Sequence, residues 1–190
     1  MSLLRREVGD IDFRVVLDTF NDRWESAARF LSPELLVQLL GLSGEWTAAY
    51  YDSVDPRAPG ERVGLFGIDA SVSSPFWQAI AREYLERWIH HSQIRRALGL
   101  GSLADRRFLS PGIEVAAAVT RLEPGVPGDP QGSWTLGPLV LGPAEQTADV
   151  LTCAYSEPVL RDLVKGPADV VRLLTAVVSK WPAERPPIGP

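Results

Sequence analysis

The first half of the chain carries apolar residues at helical spacing. In residues 12–31 they recur at steps of three and four, which places them on one face of a helix. The Ser32-Pro33 pair then supplies a capping hydroxyl and a proline suited to the first helical position. A second helix is predicted to follow, and Gly41 and Gly44 weaken its middle enough to allow a break. Its inward residues are expected to be Leu35, Leu36, Leu39, Leu40, Trp46, Ala49 and Tyr50.

Residues 55–74 are rich in Pro, Gly and Ser and predict a loop, with a short extended piece at 63–68. A third helix is predicted over 75–98, ending at Gly99 and Gly101. Its apolar side is expected to comprise Phe76, Ile80, Tyr84, Trp88, Ile94 and Leu98. Ser110-Pro111 has the features of another helix start, and that helix should reach about Leu122.

The pattern changes after residues 123–133, a segment dense in Pro and Gly that predicts a linker. Residues 134–141 and 149–154 favour short strands, and residues 157–165 and 168–180 favour helices. The sequence therefore predicts an α+β fold that is mainly α. A helical domain at 1–122 is joined by the 123–133 linker to a small α/β domain at 134–190.

Composition narrows the classes of function. The chain has 190 residues and a formal net charge of −5, which argues against nucleic acid or an anionic membrane as the main partner. Its one cysteine, Cys153, excludes an intrachain disulfide and suits a reducing cytoplasm, the expected location. A lone cysteine in a predicted strand is expected to be a small buried apolar residue.

One pair of residues suggests chemistry. Glu86 and His90 are four residues apart on the third predicted helix, about 40° apart around its axis. A carboxylate and an imidazole so placed can bind one divalent cation, and zinc is a natural choice. His91 is rotated about 100° from His90 and is expected to pack or form a hydrogen bond instead.

The same residues have simpler explanations. Glu86 could pair with Arg82, and His90 could be a partly buried packing residue. Arg95 and Arg96 could hold an anionic cofactor or substrate, although basic residues at a solvated helix end are commoner.

A longer stretch around this pair resembles a known family. Ser74 to Gly99 reads SPFWQAIAREYLERWIHHSQIRRALG. This run is similar to the mycothiol-dependent maleylpyruvate isomerase-like family, within the DinB-like superfamily. Residues 20–40 resemble the preceding helix of that family and its Ser-Pro junction. The segments 134–141 and 148–165 resemble, more weakly, its small sterol-carrier-like C-terminal domain.

The resemblance implies a bundle that holds a divalent metal, usually zinc, with Glu86 and His90 as two ligands. The metal would bind a low-molecular-weight thiol such as mycothiol as its thiolate. The protein would then be a thiol-dependent cis–trans isomerase, or a thiol transferase, acting on a small electrophilic substrate. Arg95 and Arg96 would help to bind the thiol cofactor.

The chain departs from the family at the first metal ligand, a histidine on an early helix, because no histidine precedes His90. Three explanations are open. A second copy or another subunit completes an enzyme; the protein is a degenerate, non-catalytic binding or scaffold protein; or the native chain starts earlier. Asp18 or Asp22 could provide a third ligand. The missing half of the bundle predicts a homodimer, or a missing helical subunit, that covers the apolar face of the first helix.

Overall fold

The computed structural model describes residues 13–60, 75–127 and 132–179, with side chains from residue 19 onward. The chain divides into two compact units, Met1–Val54 and Asp55–Pro190. The extended piece expected at 63–68 lies outside the described residues. The described part is mainly helical and contains one small antiparallel sheet, which confirms the mainly α, α+β class.

The described part of the Met1–Val54 unit has two helices, α1 (Phe13–Ala28) and α2 (Pro33–Asp52). Ser32 caps α2 as predicted, since its Oγ accepts a hydrogen bond from the backbone N–H of Leu35 at 3.2 Å. The two glycines in the middle of α2 do not interrupt it. A glycine costs only about 1 kcal/mol inside a helix, and the other residues of α2 sustain it.

The predicted burial of α2 is wrong, because none of its residues is buried. The described residues of α1 do not bury any residue of α2. The residues expected to point inward are therefore exposed: Leu35, Leu36, Leu39, Leu40, Trp46, Ala49 and Tyr50.

The Asp55–Pro190 unit contains α3 (Trp77–Ala97) and α4 (Arg106–Thr120). α3 is a single helix close to its predicted bounds. α4 begins five residues before Pro111 rather than at it, because Asp105 is the extended residue that precedes the helix. Pro111 lies inside α4, where its ring removes one backbone donor without ending the helix.

The sheet has the order β1 (Pro124–Gly125), β2 (Trp134–Leu136) and β3 (Leu139–Gly142), with both pairs antiparallel. The single strand predicted over 134–141 is thus a hairpin. Gly137, at φ 53°, provides the left-handed residue that the two-residue turn requires. β1 pairs with β2 through Pro124 and Gly125, so part of the predicted linker belongs to the sheet.

Three helices follow: α5 (Ala144–Leu151), α6 (Glu157–Leu163) and α7 (Ala168–Val178). α6 and α7 were predicted, but the strand predicted at 149–154 is wrong. Its first residues continue α5, which buries positions three and four residues apart, including Thr147 and Leu151. Cys153 then turns the chain at φ 50°, and it is buried as predicted.

One apolar core joins α3 and α4 to the sheet and to α5–α7. The compact units divide between Val54 and Asp55, so α3 and α4 belong to the same unit as the sheet. The buried face of α3 also differs from the predicted one, because Ile94 and Leu98 are exposed. The residues of α3 that are buried are Ala81, Leu85, Trp88, Ile89 and Ser92.

Among the helices that the structure describes, none is both long enough and apolar enough to cross a membrane.

Tyr84 gives the Asp55–Pro190 unit a testable dependence on alkaline pH. Its phenol donates a hydrogen bond to the Phe108 carbonyl oxygen at 2.6 Å, and burial raises its pKa well above the usual value of about 10. A raised pKa means that the phenol stabilises the fold fully below about pH 10 and loses this contribution as the pH rises further.

We expect Tyr84→Phe to cost about 1 kcal/mol at pH 7, through loss of the hydrogen bond. At pH 11 this difference should reverse by roughly 0.4 kcal/mol, because the unfolded wild type gains about 1.4 kcal/mol by ionising Tyr84. Urea unfolding of both proteins from pH 7 to 11 measures it. The other tyrosines are common to both proteins and cancel. A difference that stays constant with pH would contradict the assignment.

Candidate functional site

The candidate site lies on the side of α3 that faces away from the core. Leu85 and Ile89 are fully buried and Trp88 is 2% exposed, so one face of the helix is held firmly. Glu86 is rotated about 100° from Leu85, and His90 about 100° from Ile89. The Glu86 side chain is 30% exposed and that of His90 is 55% exposed, so both are open to a small ion.

The two side chains approach each other as their spacing predicted. Glu86 Oε2 lies 3.3 Å from His90 Nε2. His90 Nδ1 lies 3.0 Å from Oε1 of Gln93, which is one turn further along the helix. The imidazole is therefore held between a carboxylate and an amide oxygen, and three side chains of one rigid helix form the cluster.

The role of each ring nitrogen depends on the tautomer of His90. An amide oxygen only accepts hydrogen bonds, so the tautomer that carries its hydrogen on Nδ1 donates it to Gln93. Nε2 can then interact with the Glu86 carboxylate in two ways. It donates a second hydrogen as an imidazolium, or it presents a lone pair beside the carboxylate to a shared cation.

The donor atoms fit two positions of a metal site. Ligands about 2.0–2.1 Å from a tetrahedral zinc ion are about 3.4 Å apart, close to the 3.3 Å between Glu86 Oε2 and His90 Nε2. A ligating histidine commonly donates its other N–H to an oxygen acceptor, and Gln93 Oε1 is such an acceptor 3.0 Å from His90 Nδ1.

The third ligand is not found beside this pair. In residues 13–60, 75–127 and 132–179, no three His, Cys, Asp or Glu side chains form a group that could hold a metal ion. Asp22 is an exposed residue of α1 in the other compact unit, and the side chain of Asp18 lies outside the described part. His91 is exposed and does not pack in the core.

The two arginines predicted to bind a cofactor take part in protein contacts. Arg95 Nε donates to the Gly101 carbonyl oxygen at 2.8 Å, which secures the turn after α3. Arg96 reaches α5: its Nη1 donates to Thr152 Oγ1 at 3.1 Å and lies 3.6 Å from Asp149 Oδ1. Arg96 therefore connects two helices.

Asp149 is the centre of a polar cluster that sequence reasoning missed. Ser102 Oγ donates to Asp149 Oδ1 at 2.5 Å, and the Tyr155 hydroxyl approaches Oδ2 at 3.4 Å. Burial lowers the pKa of Arg96, while the Asp149 carboxylate opposes that shift. The charge of Asp149 raises the pKa of Tyr155. No local motif marks this cluster, because its members come from separate segments.

Cys153 borders the cluster but is not prepared for nucleophilic chemistry. Burial raises the pKa of its thiol, so the thiol form predominates at neutral pH. This agrees with the expectation of a small buried residue.

Comparisons of the chain with protein-family models, with curated proteins and with solved structures found no match.

Proposed function

We propose that this protein binds a divalent cation, zinc being the natural choice, through Glu86 and His90. The proposal extends to the thiol-dependent isomerases and thiol transferases that the sequence around this pair resembles. If the resemblance holds, residues 1–122 correspond to a partial DinB-like bundle. Residues 134–190 then correspond to the small sterol-carrier-like domain.

The observation that supports the proposal is the orientation of His90. Its Nδ1 is occupied by Gln93 Oε1 at 3.0 Å, which directs Nε2 toward the Glu86 carboxylate at 3.3 Å. Two donors are thus already at the separation that a shared ion requires, so little side-chain entropy is lost when the ion binds.

Each residue of the α3 cluster has a different role in binding the ion. Glu86 supplies negative charge and His90 a neutral nitrogen donor, and the buried Trp88 holds the helix turn between them. Gln93 positions His90 without touching the ion. A divalent ion held there would stabilise a bound thiol as its thiolate, the nucleophile that this class of enzyme needs.

A specific observation favours a second candidate function, that of a non-catalytic binding or scaffold protein. The 3.3 Å contact also suits a direct hydrogen bond from an imidazolium N–H to the carboxylate, which needs no metal. Arg96, expected to bind the thiol, already donates a hydrogen bond to Thr152 at the C-terminal end of α5. In this alternative, Glu86 and His90 form a surface ion pair of about 0–1 kcal/mol.

A zinc titration by calorimetry separates the two candidates. We expect the wild-type chain to bind zinc, and Glu86→Ala and His90→Ala each to weaken the binding at least tenfold. Gln93→Ala should weaken it about tenfold, since it removes only the contact that orients the ring.

Glu83→Ala is the matched control. Glu83 lies on the same helix and forms the equivalent i,i+4 pair with Arg87 at 2.6 Å, so its loss should leave zinc binding unchanged. Equal binding by wild type, Glu86→Ala and His90→Ala would remove the metal proposal and favour the scaffold.

A further inference from the structure

The Met1–Val54 unit exposes an unusually large apolar surface. Within the described residues it includes eleven large apolar side chains that are 38–90% exposed. They are Phe20, Trp24, Phe30, Leu35, Leu36, Val37, Leu39, Leu40, Leu42, Trp46 and Tyr50. We call these residues the α1–α2 surface.

The size of this surface indicates what covers it. Aromatic side chains have about 150–250 Å² each, so the exposed area of the α1–α2 surface is on the order of 1,000 Å². The largest apolar patch of a monomeric protein is about 300–600 Å². A stable dimer buries about 800 Å² on each partner. The summed apolar area is therefore enough to supply one side of a dimer interface.

The middle of α2 has the composition of a buried helix. Leu35 to Gly44 contains no charged residue, and Glu34 and Glu45 flank it. Its apolar side chains cover more than half of the circumference of the helix, from Leu42 through Leu39 and Leu36 to Val37. A helix with so wide an apolar face needs neighbours on more than one side.

We propose that the occupant of the α1–α2 surface is a second copy of this chain. Within the described residues, two copies supply two α1 and two α2 helices, which is the number that a four-helix bundle contains. A two-fold interface presents the same surface from each side, so both apolar surfaces are covered at once. The uncharged middle of α2 can pair with itself without burying a charge, and it offers nothing to a charged partner.

Light scattering at about 50 μM tests the proposal, with three proteins. The wild type should have twice the chain mass of 20.8 kDa. Leu40→Glu places a charge in the middle of α2 and should weaken the dimer at least 100-fold, which gives a monomer. Leu173→Glu makes the same change at an exposed leucine of α7 and should leave the dimer intact. Circular dichroism should show equal helix content in all three, because both leucines are exposed.

A cross-linking measurement is independent of any loss of folding. Ser43 is exposed and lies one turn from Leu40, so Ser43→Cys should form a disulfide-linked dimer when oxidised with copper phenanthroline. The wild type should stay unlinked because its single cysteine, Cys153, is buried. Ser156→Cys, on the exposed N-terminal side of α6, should also stay unlinked.

Three results would overturn the proposal. One is a wild-type monomer at this concentration, which assigns the surface to another occupant. Another is a dimer that Leu40→Glu leaves unchanged, and the third is a dimer that Leu173→Glu dissociates. None of them bears on zinc binding, so a failure here is distinct from a failure of the proposed function.

Discussion

Trp88→Ala is expected to lower the free energy of unfolding of the Asp55–Pro190 unit by about 3–5 kcal/mol. The indole is 2% exposed, and its Nε1 donates a hydrogen bond to the Leu103 carbonyl oxygen at 3.1 Å. The indole packs directly against the backbone of α4 at Gly112. A Cβ added at Gly112 would lie only 2.5 Å from Trp88 Cζ3, so no larger residue fits there. Alanine would leave a cavity that this rigid contact cannot close.

The measurement is chemical denaturation, with Ile94→Ala as the control on the same helix. Ile94 is 60% exposed, so its truncation should cost less than about 1 kcal/mol. Trp88→Phe should lie between the two, since it keeps most of the volume and loses the hydrogen bond. Equal effects of Trp88→Ala and Ile94→Ala would contradict the buried face assigned to α3.

Asp149→Ala is expected to destabilise the same unit by about 2–3 kcal/mol. The change removes the acceptor of Ser102 Oγ and the countercharge of Arg96, whose side chain is only 25% exposed. A partly buried guanidinium without its countercharge is costly. Asp149→Asn should cost about half as much, because the amide oxygen can still accept from Ser102.

A double-mutant cycle with Arg96→Met measures the coupling between the two groups. We expect a coupling of about 1–2 kcal/mol, because each single change leaves the other group poorly satisfied. Glu83→Ala removes the exposed ion pair with Arg87 and should lower the free energy of unfolding by less than about 0.5 kcal/mol. It is the reference for the loss of a surface ion pair. Additive effects of Arg96→Met and Asp149→Ala would show that the cluster does not connect α3 to α5.

The elements that could be predicted from the sequence are those that depend on residues close together in the chain. The Ser32 cap and the helical periodicity of α1, α2 and α3 depend on residues close in the chain, and these elements are confirmed. A strand was predicted at 149–154 because residues such as Val150 favour strands by propensity, and this prediction is wrong. Packing of α5 against α4 and β3 decided their structure instead.

In the candidate site too, contacts within one helix were predictable and contacts between distant segments were not. The proximity of Glu86 and His90 follows from their spacing on one helix, and the structure has it. The contact of Arg96 with Thr152 joins residues 56 positions apart, and no pattern within α3 could indicate it. The exposure of α2 depends on which elements lie beside it, and no pattern within residues 33–52 indicates that.

X-ray absorption at the zinc edge tests the central claim most directly. The sample is the full chain loaded with one zinc equivalent, beside His90→Ala prepared identically. The account predicts nitrogen and oxygen ligands near 2.0–2.1 Å, with imidazole scattering that is absent from His90→Ala. A spectrum without imidazole scattering, or one that His90→Ala leaves unchanged, would contradict a metal site at Glu86 and His90.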